Sequence, residues 1–273
     1  MADRVRGAIA DAAARFAFSA TARLDAELLM AHALGIGRDA VLLGRLDDPV
    51  PPGFAALVER RAGHEPIAYI TGTRAFWTIE LEVGPGVLVP RADSETLIEA
   101  AIAHFGERTP ATILDLGTGP GTLLLAALDH WPAARGLGVE RSDAARAYAL
   151  RNVARLGMAD RARIVGGTWA DGIDSQFDLL LCNPPYVATV DAIPDEVLSY
   201  EPGEALFAGA DGLSDYRLLA PELPRLIAPG GAAVIEIGWT QGDAVAALIE
   251  KAGLRATLHR DLAGRPRCIV ATA

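Results

Sequence analysis

A chain of 273 residues, 51% of them apolar, is long enough for one large domain or two modest ones with full hydrophobic cores. Its 25 Lys and Arg stand against 35 Asp and Glu, a formal charge of -10, which argues against an extended nucleic-acid footprint while leaving room for a local basic patch. Two cysteines 86 positions apart, Cys182 and Cys268, form neither a disulfide framework nor a metal knuckle, and the five histidines show no ligand spacing, so no metal is expected.

The opening segment, MADRVRGAIADAAARF, carries charges within its apolar pattern and lacks the hydrophobic core of a signal peptide. No stretch reaches the ~18 apolar residues of a membrane span. The expectation is a cytoplasmic protein. Residues 1–63 read as a small helical domain. Val5, Ile9, Ala13 and Phe16 share one helical face, Leu24, Leu28 and Ala31 another, and Pro51 and Pro52 precede a third helix with Phe54, Leu57 and Val58. A packing module accounts for this pattern; a substrate-recognition role is an addition that periodicity alone does not show.

From 64 to 91 the period changes. Ile79, Leu81 and Val83 alternate with Glu80 and Glu82, TGTRAFW turns the chain, and GPGVLVP supplies a second extended segment, together a β-hairpin linker. Asp93 or Ser94 is placed to cap a helix carrying Leu97, Ile98, Ile102 and Phe105. The remainder, 92–273, alternates strands and helices. ATILDLG, GLGVE, RIVGG, FDLLLC and AAVIEIG read as strands, with a helix around Tyr216–Leu226 and closing strands at LRATLHR and RCIVATA. This is an α/β pattern, an open Rossmann-like sheet with helices on both faces. The acidic excursion from Val187 to Gly212 is placed to cover a site beyond the strand ends.

Two motifs carry the chemistry. Asp115, Gly117, Thr118, Gly119, Pro120 and Gly121 (DLGTGPG) join a strand to a helix, where glycines permit close backbone approach to a ligand. The spacing is G-x-G-x-G, unlike the G-x-G-x-x-G of a dinucleotide site. Glu140, 19 residues after Gly121, closes the next strand, where a carboxylate accepts from ribose hydroxyls. Asp115 either orients the loop or meets an amino group of the ligand. Trp169 packs against an adenine ring or simply fills the core. The second motif, Asn183, Pro184, Pro185 and Tyr186 (NPPY), ends the apolar run FDLLLC 64 residues after Gly119.

An amide nitrogen is a poor nucleophile because its lone pair is delocalised into the carbonyl. Two acceptors, the Asn183 side-chain oxygen and the Pro184 carbonyl, suit its two N–H bonds, and Tyr186 offers a flat surface. Paired with the glycine turn, NPPY points to methyl transfer from S-adenosylmethionine onto a planar nitrogen, with S-adenosylhomocysteine as the product.

The chain resembles the peptide-chain release factor glutamine N5-methyltransferase family, also called HemK or PrmC. RLDAELLMAHALG resembles its helical amino-terminal domain and EPIAYITGTRAFWTIELEVGPGVLVPRADSETLIE its hairpin and entry to the catalytic domain. DLGTGPG, NPPYV, YEPGEALFAGADGL, DYR, IEIGWTQ and DLAGRPR continue the likeness to the end. The resemblance implies an enzyme that methylates the glutamine of the Gly-Gly-Gln loop of release factors; a monomer with no direct nucleic-acid or membrane partner is expected. It implies Gly117 to Gly121, Glu140, Trp169 and Asn183 at the cofactor, and Asn183, Pro184, Pro185 and Tyr186 at the substrate. A ribosomal-protein glutamine methyltransferase and an adenine-N6 DNA methyltransferase are the alternatives. Glu140 in place of a more usual aspartate, Thr168 at an often acidic position and Ala92 in a PRPD-like segment depart from the family pattern.

Overall fold

A computed structural model describes residues 4–273; residues 1–3, with which the helical domain was expected to begin, lie outside the described residues. The chain divides into two compact units, one formed by 1–73 with 193–200 and the other by 74–192 with 201–273.

The first unit holds helices α1 Val5–Arg15, α2 Ala22–Leu34, α3 Arg38–Gly44, α4 Phe54–Ala62 and α5 Ile67–Thr71. Their apolar faces meet in a core of Val5, Ile9, Phe16, Leu29, Met30, Val41, Phe54 and Val58. Gly35 ends α2 at φ +65°, a conformation that costs residues with a side chain about 1–2 kcal/mol. The helical run continues through α5, into the stretch where the sequence suggested a hairpin linker. A later segment, α9 Asp195–Tyr200, joins this unit. Arg61, nearly fully buried, pairs with Asp25 at 2.8 Å and with Glu196 of α9 at 2.9 Å, and the Tyr200 hydroxyl donates to the Gly63 carbonyl at 2.8 Å.

In the second unit, β1 Thr73–Phe76 and β2 Ile79–Glu82 form a two-stranded sheet turned at Trp77, whose φ is +53°. The hairpin is therefore made by TRAF and IELE. GPGVLVP joins no strand ladder: the Val89 N–H donates to the Glu201 carboxylate at 3.0 Å. A 3-10 turn, Ala92–Ser94, leads into α6 Glu95–Phe105. Ser94 does not cap it; the residue is already helical in φ and ψ and its hydroxyl points elsewhere.

The main sheet contains β3 Thr112–Leu116, β4 Arg135–Glu140, β5 Ala162–Gly166, β6 Phe177–Cys182, β7 Ile227–Glu236, β8 Arg255–Arg260 and β9 Pro266–Thr272, in the order β5-β4-β3-β6-β7-β9-β8. All neighbours pair parallel except β9, which runs antiparallel to β7 and β8. The crossovers carry α7 Thr122–His130, α8 Asp143–Arg155, α10 Ser214–Leu219, α11 Leu223–Leu226 and α12 Gly242–Lys251. The single helix expected around 216–226 is broken into α10, a 3-10 turn and α11, since Pro221 and Pro224 remove backbone donors. Helix-flanked parallel strands read as continuous apolar runs, and FDLLLC, central in the sheet, is such a run. Strand order reverses between β3 and β6, where open α/β sheets bind ligands. Among the described residues, no helix is long and apolar enough to cross a membrane.

Candidate active site

Parallel register sets the site before any side chain is considered. Leu116 of β3 is paired with Val139 of β4 and with Cys182 of β6, and Cys182 with Ile235 of β7. The next residue on each strand, Gly117, Glu140, Asn183 and Glu236, is therefore delivered to one edge of the sheet. A cleft there, holding about 960 Å³ including its opening to solvent, is lined by Gly117, Thr118, Gly119, Pro120, Glu140, Trp169, Asn183 and Pro185, with Asp115 at its floor. The glycine motif and the NPPY motif thus face one cavity.

Within the glycine motif, φ values of +71° at Gly117, +58° at Gly119 and +92° at Gly121 place the backbone where only glycine is at ease. A side chain on Gly117 would also meet the Trp169 ring at 3.1 Å, while one on Gly119 would meet nothing within 4 Å. Gly121 lies outside the cavity lining; its bare Cα admits Leu125 of α7, whose methyl carbon would stand 2.7 Å from an added Cβ. Its role here is helix entry.

Asp115 is buried. Its Oδ2 accepts from the Thr118 hydroxyl at 2.6 Å and from the Leu124 N–H at 3.1 Å, so Asp115 and Thr118 brace the turn. Among the described residues, its Oδ1 has no hydrogen-bond partner. Burial pushes its pKa up to about 7, against the two hydrogen bonds that favour the charged form. Glu140 holds the loop from the other side, accepting from the Gly119 N–H and the Ser142 N–H, each at 2.8 Å. Each carboxylate oxygen keeps a second lone pair for a further donor. The longer reach of Glu140, compared with the aspartate of the family pattern, suits this bridging. Trp169, at φ +48°, lays its ring against Gly117. The Pro120 carbonyl accepts from Asn152 at 2.9 Å, and the same side chain bonds both the N–H and the carbonyl of Glu82, tying the loop to β2.

At the NPPY corner, Asn183 is half-buried and its Nδ2 donates to the Ser94 hydroxyl at 3.3 Å. Pro184 is buried, Pro185 faces the cavity, and Tyr186 is half-buried outside the lining, its hydroxyl donating to Glu236 at 3.4 Å. Burial and the Glu236 charge raise the Tyr186 pKa well above the phenol range. Gln241 donates to the Tyr186 carbonyl at 2.9 Å and to the Gly212 carbonyl at 3.1 Å. Cys182 is fully buried at the end of β6, its thiol pKa raised by burial.

Phe76 is a core residue at 1% exposure. Arg91 lines the cavity and pairs with the buried Glu201. Sequence reasoning passed over Glu201, Asn152, Gln241 and Glu236. The signal for Glu236 was present, a lone acid inside the apolar run AAVIEIG, and such a residue has to be supported from across the fold.

On this fold the chain carries a methyltransferase domain. Residues 93–199 match the methyltransferase small domain. Solved structures of similar fold include a methyltransferase from Pyrococcus furiosus (TM-score 0.53, 18% identity, 70% of this chain and 87% of that one). Another is the Thermus thermophilus 16S rRNA N2 G1207 methyltransferase in complex with AdoMet and guanosine (TM-score 0.52, 19% identity, 74% and 50%). Residues 7–72 match the PrmC N-terminal domain. The release factor glutamine methyltransferase of Cereibacter sphaeroides is 42% identical over 99% of this chain and 97% of its own, and that of Rhodospirillum rubrum 43% over 91% and 78%. The chain belongs to the release factor glutamine methyltransferase family.

Proposed function

We propose that this protein transfers a methyl group from S-adenosylmethionine to the side-chain amide nitrogen of the glutamine in the Gly-Gly-Gln loop of peptide-chain release factors. The observation that carries this is the placing of Asn183 and Pro185 on the same cavity as the glycine turn and Glu140, in a chain with a relative over nearly its full length that is named release factor glutamine methyltransferase.

The residues present fit the cofactor. Asp115 Oδ1 is a buried acceptor without a partner at the cavity floor, suited to the ammonium of a methionine moiety. Glu140 accepts from ribose hydroxyls with its remaining lone pairs while bracing Gly119. Trp169 presents its apolar ring to an adenine, and Gly117 and Gly119 admit close approach. S-adenosylmethionine supplies a methyl carbon activated by a sulfonium sulfur. Asn183 Oδ1 and the Pro184 carbonyl accept the two N–H bonds of the glutamine amide, fixing its nitrogen in line and stabilising the positive charge that forms on it. Tyr186, outside the cavity lining, holds the corner through its hydroxyl on Glu236. A proton then leaves to water, and no titratable base has to contact the nitrogen. The helical unit contributes surface for the folded substrate, and the site of action is the cytoplasm.

Recombinant protein incubated with S-adenosylmethionine and intact release factor should add about 14 Da to the peptide containing Gly-Gly-Gln, read by mass spectrometry, and none without enzyme. Modification of a ribosomal protein or of DNA, with release factor unchanged, would overturn the substrate.

A further inference from the structure

Behind the NPPY corner stands a carboxylate that the reaction as described does not use. Glu236 ends β7 one residue beyond Ile235, the register partner of Cys182, so it is the strand-end neighbour of Asn183. It is 1% exposed. Its Oε1 accepts from the Tyr186 hydroxyl at 3.4 Å, and its backbone carbonyl accepts from the buried Tyr216 hydroxyl at 2.9 Å. The Ser94 hydroxyl faces the same carboxylate and favours its charged form, while Ser94 Oγ accepts from Asn183 Nδ2 at 3.3 Å. Glu236 Oε2 is buried with no partner of its own. Tyr186 is thus tied directly to this buried acid, and Asn183 to Ser94, whose hydroxyl stands near enough to the carboxylate to favour its charged form.

We propose that Glu236 and Ser94 are positioning residues that fix which way the Asn183 amide faces, and so which atom it shows to the substrate nitrogen. An ionised carboxylate only accepts. Ser94 then donates its single proton to Glu236 and presents lone pairs to Asn183, so Nδ2 turns to Ser94 and Oδ1 turns away from it. The glutamine amide needs an acceptor there; a flipped Asn183 would set one NH2 against another. The same carboxylate keeps the Tyr186 hydroxyl turned inward. This rests on the reading of Asn183 as the acceptor clamp.

The chain of bonds has a direction, and the direction depends on the charge of Glu236. Once protonated, Glu236 is able to donate to Ser94, leaving the Ser94 proton free for Asn183 Oδ1 and reversing the amide. Burial pushes the Glu236 pKa up to about 7, opposed chiefly by Ser94, Arg267 and Tyr186 and reinforced by Asp93. Arg267 is itself tied to Asp93 at 2.8 Å and Asp261 at 3.0 Å. The other groups that feel this charge are Cys182 at the end of β6, Cys268 on β9 and Tyr216 on α10, and burial raises all three away from neutrality. The reversal thus falls in the neutral range, where Asp115 on the cofactor side also changes charge, and Glu236→Gln separates the two.

The test is single-turnover methyl transfer to intact release factor at saturating S-adenosylmethionine, from pH about 5.5 to about 9. Wild type, Ser94→Ala, Glu236→Gln and Asn183→Ala are compared, with S-adenosylhomocysteine affinity measured on each by calorimetry. Ser94→Ala and Glu236→Gln should transfer at least about tenfold more slowly at pH 8 with cofactor affinity within about twofold of wild type. The wild-type rate should fall on the acid side of neutrality, and Glu236→Gln should lack that limb. Rates within about twofold of wild type for both variants would overturn the proposal, as would losses of cofactor affinity that match the losses of rate. If Glu236→Gln does not fold, Ser94→Ala decides by the same criteria. A slow Asn183→Ala beside unimpaired Ser94→Ala and Glu236→Gln sinks the positioning role alone, whereas a wild-type rate in Asn183→Ala sinks the clamp itself.

Discussion

The two halves of the cleft are built by different means. On the cofactor side, Asp115 and Glu140 grip backbone N–H groups of the turns beside them: Gly119, Leu124 and Ser142. On the acceptor side, Asn183 and Tyr186 are held by side chains that the chain brings from 89 and 50 positions away, Ser94 and Glu236. Backbone donors fixed by a short turn keep their geometry whichever side chains surround them. Side-chain partners from distant elements keep theirs only while those elements are packed. The cofactor half is therefore the more tolerant of change elsewhere, and the acceptor half the more sensitive.

Replacing the clamp itself should have the largest effect. Asn183→Ala is expected to lower single-turnover methylation of release factor roughly 10²–10³-fold, the cost of a well-placed polar contact in the transition state, with cofactor affinity little changed. Near-wild-type transfer would erase the distinction between the halves. Glu140→Ala should act on the other side, weakening S-adenosylhomocysteine by about 1.5–3 kcal/mol, the range for a hydrogen bond to a charged group, or roughly 10- to 150-fold in Kd by calorimetry. Unchanged affinity would leave Glu140 only as a brace for Gly119 and Ser142.

Gly121→Ala probes the helix entry without touching the cavity. The φ of +92° and the crowding by Leu125 should cost about 1–2 kcal/mol of stability, a fall in Tm of roughly 2–4 °C for each kcal/mol. A melting temperature equal to wild type would mean the turn relaxes freely. The smallest effect is a proton count. Asp115 has its pKa raised to about 7 by burial, so the folded protein holds this proton more tightly than the unfolded chain, and the stability due to this group falls as pH rises from about 4 to about 7. An ammonium placed at Oδ1 reverses the preference. Binding of S-adenosylhomocysteine at pH about 6 should then release up to about one proton, seen as buffer-dependent heats in calorimetry. Asp115→Asn should abolish the release, and its persistence there would move the proton to another group.

How much was readable from the chain follows the same division. The glycine turn, Glu140 and NPPY were legible because each is a run of neighbours ending an apolar strand, and strand ends in an open parallel sheet collect at one edge. The hairpin was read with the wrong second strand, since GPGVLVP looks extended, yet the Val89 N–H goes to Glu201 instead of a ladder. Asp93 or Ser94 suits a cap by sequence, because an aspartate or serine before an apolar helix usually is one. Here a 3-10 turn carries the chain into α6 and frees the hydroxyl for Asn183.

By itself the sequence determined the fold class and the family and brought out the motifs of the candidate site, because periodicity and turn chemistry act over a few residues and the motifs that carry them are contiguous. Only the tertiary structure decided what holds that centre in place. The register of β3, β6 and β7 sets Gly117, Asn183 and Glu236 side by side, and a buried carboxylate acquires its partners and its raised pKa only from elements that meet when the sheet closes around it.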